Sequence, residues 1–139
     1  ATMPMVMAIG GMVGSQASTL IIRALANKTA SPFRAMLSKE VLVSLTLAVV
    51  LGAVAFGNSL LLQTMKGDSI DFGATAHIAL VIALAMGADV VFAAALGASI
   101  PNLVKMLRID PALISTPAVT ALTDLTGASI FLLLVTLLL

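Results

Sequence analysis

The chain has 139 residues, of which 60% are hydrophobic and 9% are charged, whereas ordinary soluble domains are about 45 to 50% apolar and about 25% charged. This composition excludes a soluble single domain, and the net charge of +1 excludes the basic surface that a nucleic-acid partner requires. Because the chain has no Cys, disulfides, thiolate catalysis and Cys-based metal sites are excluded as well.

Four long segments of the chain are nearly free of charged residues. About 20 predominantly apolar residues suffice for one helical crossing of a hydrocarbon layer of roughly 30 Å. We therefore predict an all-α, polytopic membrane helical bundle in the cell membrane, with the lipid bilayer as its surroundings and residues 1–139 as one domain. The predicted spans are approximately 3–26, 40–64, 74–104 and 111–139.

The basic residues predict the orientation of these spans. Six of the seven Lys and Arg residues lie between positions 23 and 39 or between 105 and 108. By the positive-inside rule these two connections are cytoplasmic, so both chain ends lie outside. An outside start without a signal peptide leads us to expect a preceding helix in a longer parent chain.

The first span carries small residues one helical turn apart. Gly10, Gly14 and Ser18 recur every four residues, with Gly11 and Ser15 beside them. Such a pattern is typical of a tight helix crossing. It also exposes backbone carbonyl oxygens where the helix lines a lumen, and the pattern alone leaves both interpretations open.

Two carboxylates, Asp89 and Asp124, lie inside predicted spans. A carboxylate at the centre of a span costs on the order of 2.5 to 3.5 kcal/mol and usually faces the bundle interior or a watery cavity. Neither acid has a Lys or Arg at its depth, so protonation, hydration and a bound cation all remain possible. Asp89 has apolar neighbours on its helix face and is expected to be protonated, about 7 Å nearer the outside than Asp124.

The last span has one polar face. On a helical wheel, hydroxyl residues, the second acid and a glycine fall within about 100° of arc. These residues are Thr116, Thr120, Thr123, Asp124 and Gly127. A Thr stripe is also typical of interhelical hydrogen bonding, but a carboxylate at its centre favours the lining of a pore. Oxygen ligands of this kind suit hard cations, of which Mg²⁺ is typically held by one or two carboxylates and several waters.

Two stretches resemble the membrane domain of MgtE-type magnesium transporters. They are GGMVGSQASTLIIRALA at 10–26 and DPALISTPAVTALTDLTG at 110–127. The resemblance covers the chain as helices two to five of a five-helix, homodimeric domain. It implies a pore between two subunits, lined by the first and last spans, and cytosolic N and CBS regulatory domains in a longer chain.

The resemblance also implies roles for individual residues. Asp124 looks like the family's central magnesium-binding carboxylate, Thr116 and Thr120 occupy pore-facing positions, and Asp110 looks like an acid at the cytoplasmic mouth. At Met12 and Ser15 the family usually has Asn, so the shape and selectivity of the gate are expected to differ. The predicted metal-binding residues are Asp124, Thr120, Thr116, Gly11, Gly14 and Asp110.

The function predicted from these observations is that of a transmembrane ion-transport domain, which conducts Mg²⁺ as transported ion along an oxygen-lined path centred on Asp124. The alternative is a non-transporting structural or assembly subunit whose buried acids are protonated. An enzyme is not expected, because no His pair and no Ser with a nearby base share one depth, and a lone Asp is not a catalytic dyad.

Overall fold

A computed structural model describes residues 3–27, 33–66 and 72–138 of the chain. The described residues form four helices: α1 (Met3–Ala26), α2 (Phe33–Lys66), α3 (Phe72–Met106) and α4 (Pro111–Leu138). Each helix contains a segment long and apolar enough to cross a membrane, namely Met3–Ala26, Val41–Leu62, Phe72–Met106 and Ser115–Leu138. The predicted all-α fold with four candidate spans is confirmed.

Helix α2 begins at Phe33, before the start of the apolar segment from which the span 40–64 is predicted. Its first residues include Arg34, Lys39 and Glu40, which are as compatible with a helix as most apolar residues. Helix α3 likewise continues through Pro101 to Met106. Apolar character thus indicates which part of a helix can lie in lipid, and the helix can extend beyond that part.

Helix α3 occupies the centre of the bundle. It packs against α1, α2 and α4, and α1 also packs against α4. Half of the span in α3 is buried, against 17% in both α2 and α4. Helices α1, α3 and α4 therefore form a three-helix unit, and α2 packs mainly against α3.

Small residues let the helices of this unit approach closely. A Cβ at Gly97 of α3 would collide with the carbonyl oxygen of Gly14 in α1. A Cβ at Gly14 would lie 2.8 Å from Thr123 and 2.9 Å from Val119, both in α4. The three helices thus meet at Gly14, where there is no space for a side chain.

Consecutive helices run in opposite directions. One apolar cluster joins all four helices near one end of the bundle, and its members include Val6, Ala55, Ile82 and Phe131. Val6 and Ile82 lie early in their helices, whereas Ala55 and Phe131 lie late. This end of the bundle is the external one under the predicted orientation.

A short turn at the opposite end joins α3 to α4. Arg108 has a φ of 59°, and the N–H groups of Arg108 and Ile109 donate to the carbonyls of Lys105 and Val104, at 3.0 and 3.2 Å. This is the Schellman pattern of helix termination. The next residue, Asp110, accepts a hydrogen bond from the N–H of Ala112 at 2.9 Å and caps α4. The turn therefore fixes where α4 begins.

Candidate functional site

The carboxylate of Asp124 lies against α1. Asp124 is half-buried, and a Cβ at Gly11 would be 3.2 Å from its Oδ1 atom. Gly11 is itself buried, so its missing side chain provides the room that the carboxylate occupies. The structure thus brings together two of the predicted site residues, one from each end of the sequence.

A pair of hydroxyl groups lies one helical turn from Asp124. The side chains of Ser15 and Thr120 share a hydrogen bond of 3.1 Å. The Thr120 hydroxyl is also 3.1 Å from the carbonyl oxygen of Thr116, to which it donates. Both hydroxyl groups are half-buried, so α1 and α4 present oxygen atoms to the same side of the bundle.

The register of α1 against α4 extends this arrangement by a further turn. Each step of four residues along α1 from Gly11 is matched by a step of four back along α4 from Asp124. One further turn of the same register would put Thr19 at the level of Thr116, and both residues are exposed. The resulting oxygen ladder consists of Asp124, the Ser15–Thr120 pair, and the level of Thr19 and Thr116.

An open groove of about 450 Å³ runs along the same face of α1. Its lining residues are Met12, Ser15, Gln16, Thr19 and Leu20. Ser15 belongs both to the groove and to the oxygen ladder, so the two features are continuous. Within the described parts of the chain, no three His, Cys, Asp or Glu side chains come together as a metal cluster. Among the residues that the structure describes, this face therefore offers one half-buried carboxylate, that of Asp124, beside neutral oxygen atoms.

Two residues of the predicted polar stripes are packed inside the bundle. Thr123 is fully buried and donates to the carbonyl of Val119 at 2.9 Å. Gly14 is enclosed between α3 and α4, with its carbonyl oxygen directed at Gly97. This placement favours a packing role for Gly14, whose predicted role as a metal ligand stays a prediction.

Asp110 lies far from the other candidate residues. It is exposed and precedes Asp124 by fourteen positions, which corresponds to about 21 Å along the helix axis. Its Oδ1 atom accepts the hydrogen bond that caps the N-terminus of α4. Asp110 therefore belongs to the predicted cytoplasmic end of the path and not to the site at Asp124.

The structure also brings Asp89 of α3 next to this site, although the sequence predicted only apolar neighbours for it. Asp89 is fully buried, and a Cβ at Gly127 would be 2.7 Å from its Oδ1 atom. Gly127 lies about 4.5 Å beyond Asp124 along α4, so the Asp89 side chain lies about one helical turn from Asp124. Gly10 of α1 also lies against Asp89. Glycines at positions 10 and 127 are therefore the feature of the sequence that could have indicated this contact.

The sequence of the chain can be compared with those of known proteins. Residues 3–134 match the family model MgtE, described as a divalent cation transporter. The chain is also 33% identical over 131 residues to the magnesium transporter MgtE of Thermus thermophilus, an alignment that covers 93% of this chain. It spans 27% of the length of that relative.

The match confirms the resemblance inferred from the glycine and Asp-Pro-Ala motifs. It also confirms that the chain is not an enzyme, because the family is one of transporters. Four candidate membrane spans agree with such a family. The chain belongs to the MgtE family of divalent cation transporters.

Proposed function

We propose that the chain forms the ion path of a magnesium transporter and conducts Mg²⁺ along the oxygen ladder centred on Asp124. The observation that carries this proposal is the position of Asp124. Its carboxylate is half-buried, lies against Gly11 and stands one turn from the Ser15–Thr120 hydroxyl pair. A charged acceptor at membrane depth with a line of neutral oxygen atoms leading to it suits a cation path.

The chemistry of these groups suits a hydrated Mg²⁺ ion. Magnesium gives up its water reluctantly and is usually bound through one or two carboxylates with several waters retained. Hydroxyl and carbonyl oxygens along α1 and α4 can accept hydrogen bonds from those waters, while Asp124 supplies negative charge. Metals that prefer thiolate or imidazole are disfavoured, because the chain has no Cys and one His.

A second copy of the chain completes the site in this proposal. One protomer presents an open groove and one half-buried carboxylate. The charge of one carboxylate balances only half of the charge of a divalent ion. A twofold axis along the membrane normal would bring a second Asp124 to the opposite wall and close the groove. The relative is much longer than this chain, which leaves room for the N and CBS regulatory domains that the resemblance implies.

The alternative, a non-transporting structural subunit with protonated acids, fits only one of the two carboxylates. Asp89 is fully buried and suits a neutral acid in a packed interior. Asp124 is half-buried beside oxygen atoms and an open groove, a setting that hydration or a cation explains better. The contrast between the two acids therefore favours transport.

Ion flux tests the proposal. The protein that carries this chain is reconstituted into liposomes loaded with a fluorescent Mg²⁺ indicator, and external Mg²⁺ is then added. We expect uptake well above that of protein-free liposomes, with competition by other hard divalent ions. Uptake no faster than in protein-free liposomes, from protein that is folded and correctly inserted, would favour the structural subunit.

A further inference from the structure

The side chain of Asp89 lies at a second point where α1, α3 and α4 are in close contact. Asp89 belongs to α3, and a Cβ at Gly127 of α4 would lie 2.7 Å from Oδ1 and 3.1 Å from Cγ. A Cβ at Gly10 of α1 would collide with Oδ2 and lie 2.9 Å from Cγ. We call the space bounded by Gly10 and Gly127 the glycine notch. The carboxyl group of Asp89 fills it.

Neither oxygen of Asp89 has a hydrogen-bond partner among the described residues, and none of its surface is exposed. The basic residues of the described segments lie toward the helix ends, at Arg23, Arg34, Lys39, Lys66, Lys105 and Arg108. A buried carboxylate without a counter-ion is unfavourable, whereas the neutral acid is far less so. The shape of the group therefore matters more here than its charge.

The glycine notch adjoins the contact that defines the ion site. Gly10 precedes Gly11, and Gly127 follows Asp124 by one helical turn. A change in the spacing of α1 and α4 at the notch would therefore move Gly11 relative to the Asp124 carboxylate. Close-packed interiors transmit displacements of this kind because they contain few voids.

We propose that Asp89 is a positioning residue for the ion site, whose carboxyl group fills the glycine notch and sets the separation of α1 and α4 at the level of Asp124. The packing part of this proposal stands on the geometry of the notch. Its consequence for transport rests on the proposed function. The two parts are tested by separate measurements.

The packing part is tested by thermal stability in detergent. We expect Gly127→Ala to lower the melting temperature by at least about 5 °C, because the new methyl group overlaps Asp89. In an Asp89→Ala background the same change should cost little, since the smaller side chain leaves room. Gly57→Ala is the matched control, because a Cβ at Gly57 has no neighbour within 4 Å.

An equal loss from Gly127→Ala with Asp89 and with Ala at that position would overturn the packing part. If Gly127→Ala yields no folded protein, the recovery of monodisperse protein by the double variant is the supporting result. The failure of the double variant to recover would overturn the proposal. Neither measurement depends on ion transport.

The positioning part is tested by Mg²⁺ uptake in liposomes. We expect Asp89→Asn, which keeps the shape of the neutral acid, to retain at least about half of the wild-type uptake and an unchanged half-saturating Mg²⁺ concentration. Asp89→Ala should raise that concentration by about threefold or more. A loss of uptake in Asp89→Asn as complete as in Asp124→Asn would instead place the charge of Asp89 on the ion path and overturn the proposal. If the wild-type protein itself takes up no Mg²⁺, the proposed function is contradicted. The packing part of the proposal would still be decided by the stability measurements.

Discussion

Gly11 of α1 lies directly against the carboxylate of Asp124 in α4, with a Cβ at Gly11 falling 3.2 Å from Oδ1. Its neighbour Gly10 contacts the other intramembrane acid, Asp89 of α3. Two successive glycines of one helix thus accommodate two carboxylates from two other helices. The half-buried acid borders the groove and the fully buried acid fills the interior.

The first prediction concerns Gly11. A methyl group 3.2 Å from Oδ1 forces the Asp124 carboxylate to shift by a few tenths of an ångström. We expect Gly11→Ala to reduce Mg²⁺ uptake by about three- to tenfold and Gly11→Val to reduce it further. Gly57→Ala serves as the control in the same uptake assay. Wild-type uptake in both Gly11 variants would show that this contact does not constrain the ion site.

The second prediction concerns the Ser15–Thr120 hydrogen bond. Ser15→Ala and Thr120→Val each remove one hydroxyl of a half-buried pair, and each should lower the free energy of unfolding by about 0.5 to 1.5 kcal/mol. Because both changes break the same bond, the double variant should lose less than the sum of the two. Denaturant unfolding in detergent micelles measures all three. Strict additivity would show that the bond contributes nothing to stability.

Much of the architecture follows from the sequence because lipid imposes simple constraints. Apolar length predicts the four spans, and charge-free segments predict where they lie. Asp124 and Thr120 could be placed on one face of α4 from helical periodicity alone. The meeting of Gly11 with Asp124 could not, because periodicity on one helix does not give its register against another.

For the same reason, the sequence could not predict the contacts of Gly14 and Asp89. A glycine pattern is compatible both with a lumen and with a helix crossing, and only the contact with Gly97 distinguishes them at Gly14. Counting residues gives the depth of Asp89 in the membrane but not the helices that it faces. Its proximity to Asp124 depends on α1, α3 and α4 packing on one another.

The third prediction concerns assembly. The chain has no Cys, so single cysteines can be introduced without a background. Met12 and Gln16 are exposed in the groove and should cross-link to the same residue of a second copy on oxidation in membranes. Val49 of α2 is 74% exposed but lies on a helix that packs mainly against α3, and should not. Cross-linking at Val49 alone would place the dimer contact, and with it the pore, on another face.

The fourth prediction separates two roles of Asp110. As the cap of α4, it should be replaceable by Asn, whereas Asp110→Ala should cost about 0.5 to 2 kcal/mol of stability. As an acid at the cytoplasmic mouth, it should contribute charge, so Asp110→Asn should raise the half-saturating Mg²⁺ concentration for uptake. Thermal unfolding and uptake by the Asn and Ala variants measure the two effects. Equal destabilisation by Asn and Ala would contradict the capping role, and an unchanged Mg²⁺ dependence in Asp110→Asn would contradict the role at the mouth.

The most direct test of the ion path is Mg²⁺ uptake by liposomes that contain the Asp124→Asn variant, compared with Asp124→Glu and the wild type at equal protein density. Asn keeps the size of the side chain and removes its charge, whereas Glu keeps the charge and moves it by about one bond length. If Asp124 offsets the dehydration of a divalent ion, the Asn variant should lose most of the uptake and the Glu variant should keep part of it. Wild-type uptake by a folded Asp124→Asn variant would contradict a path centred on Asp124.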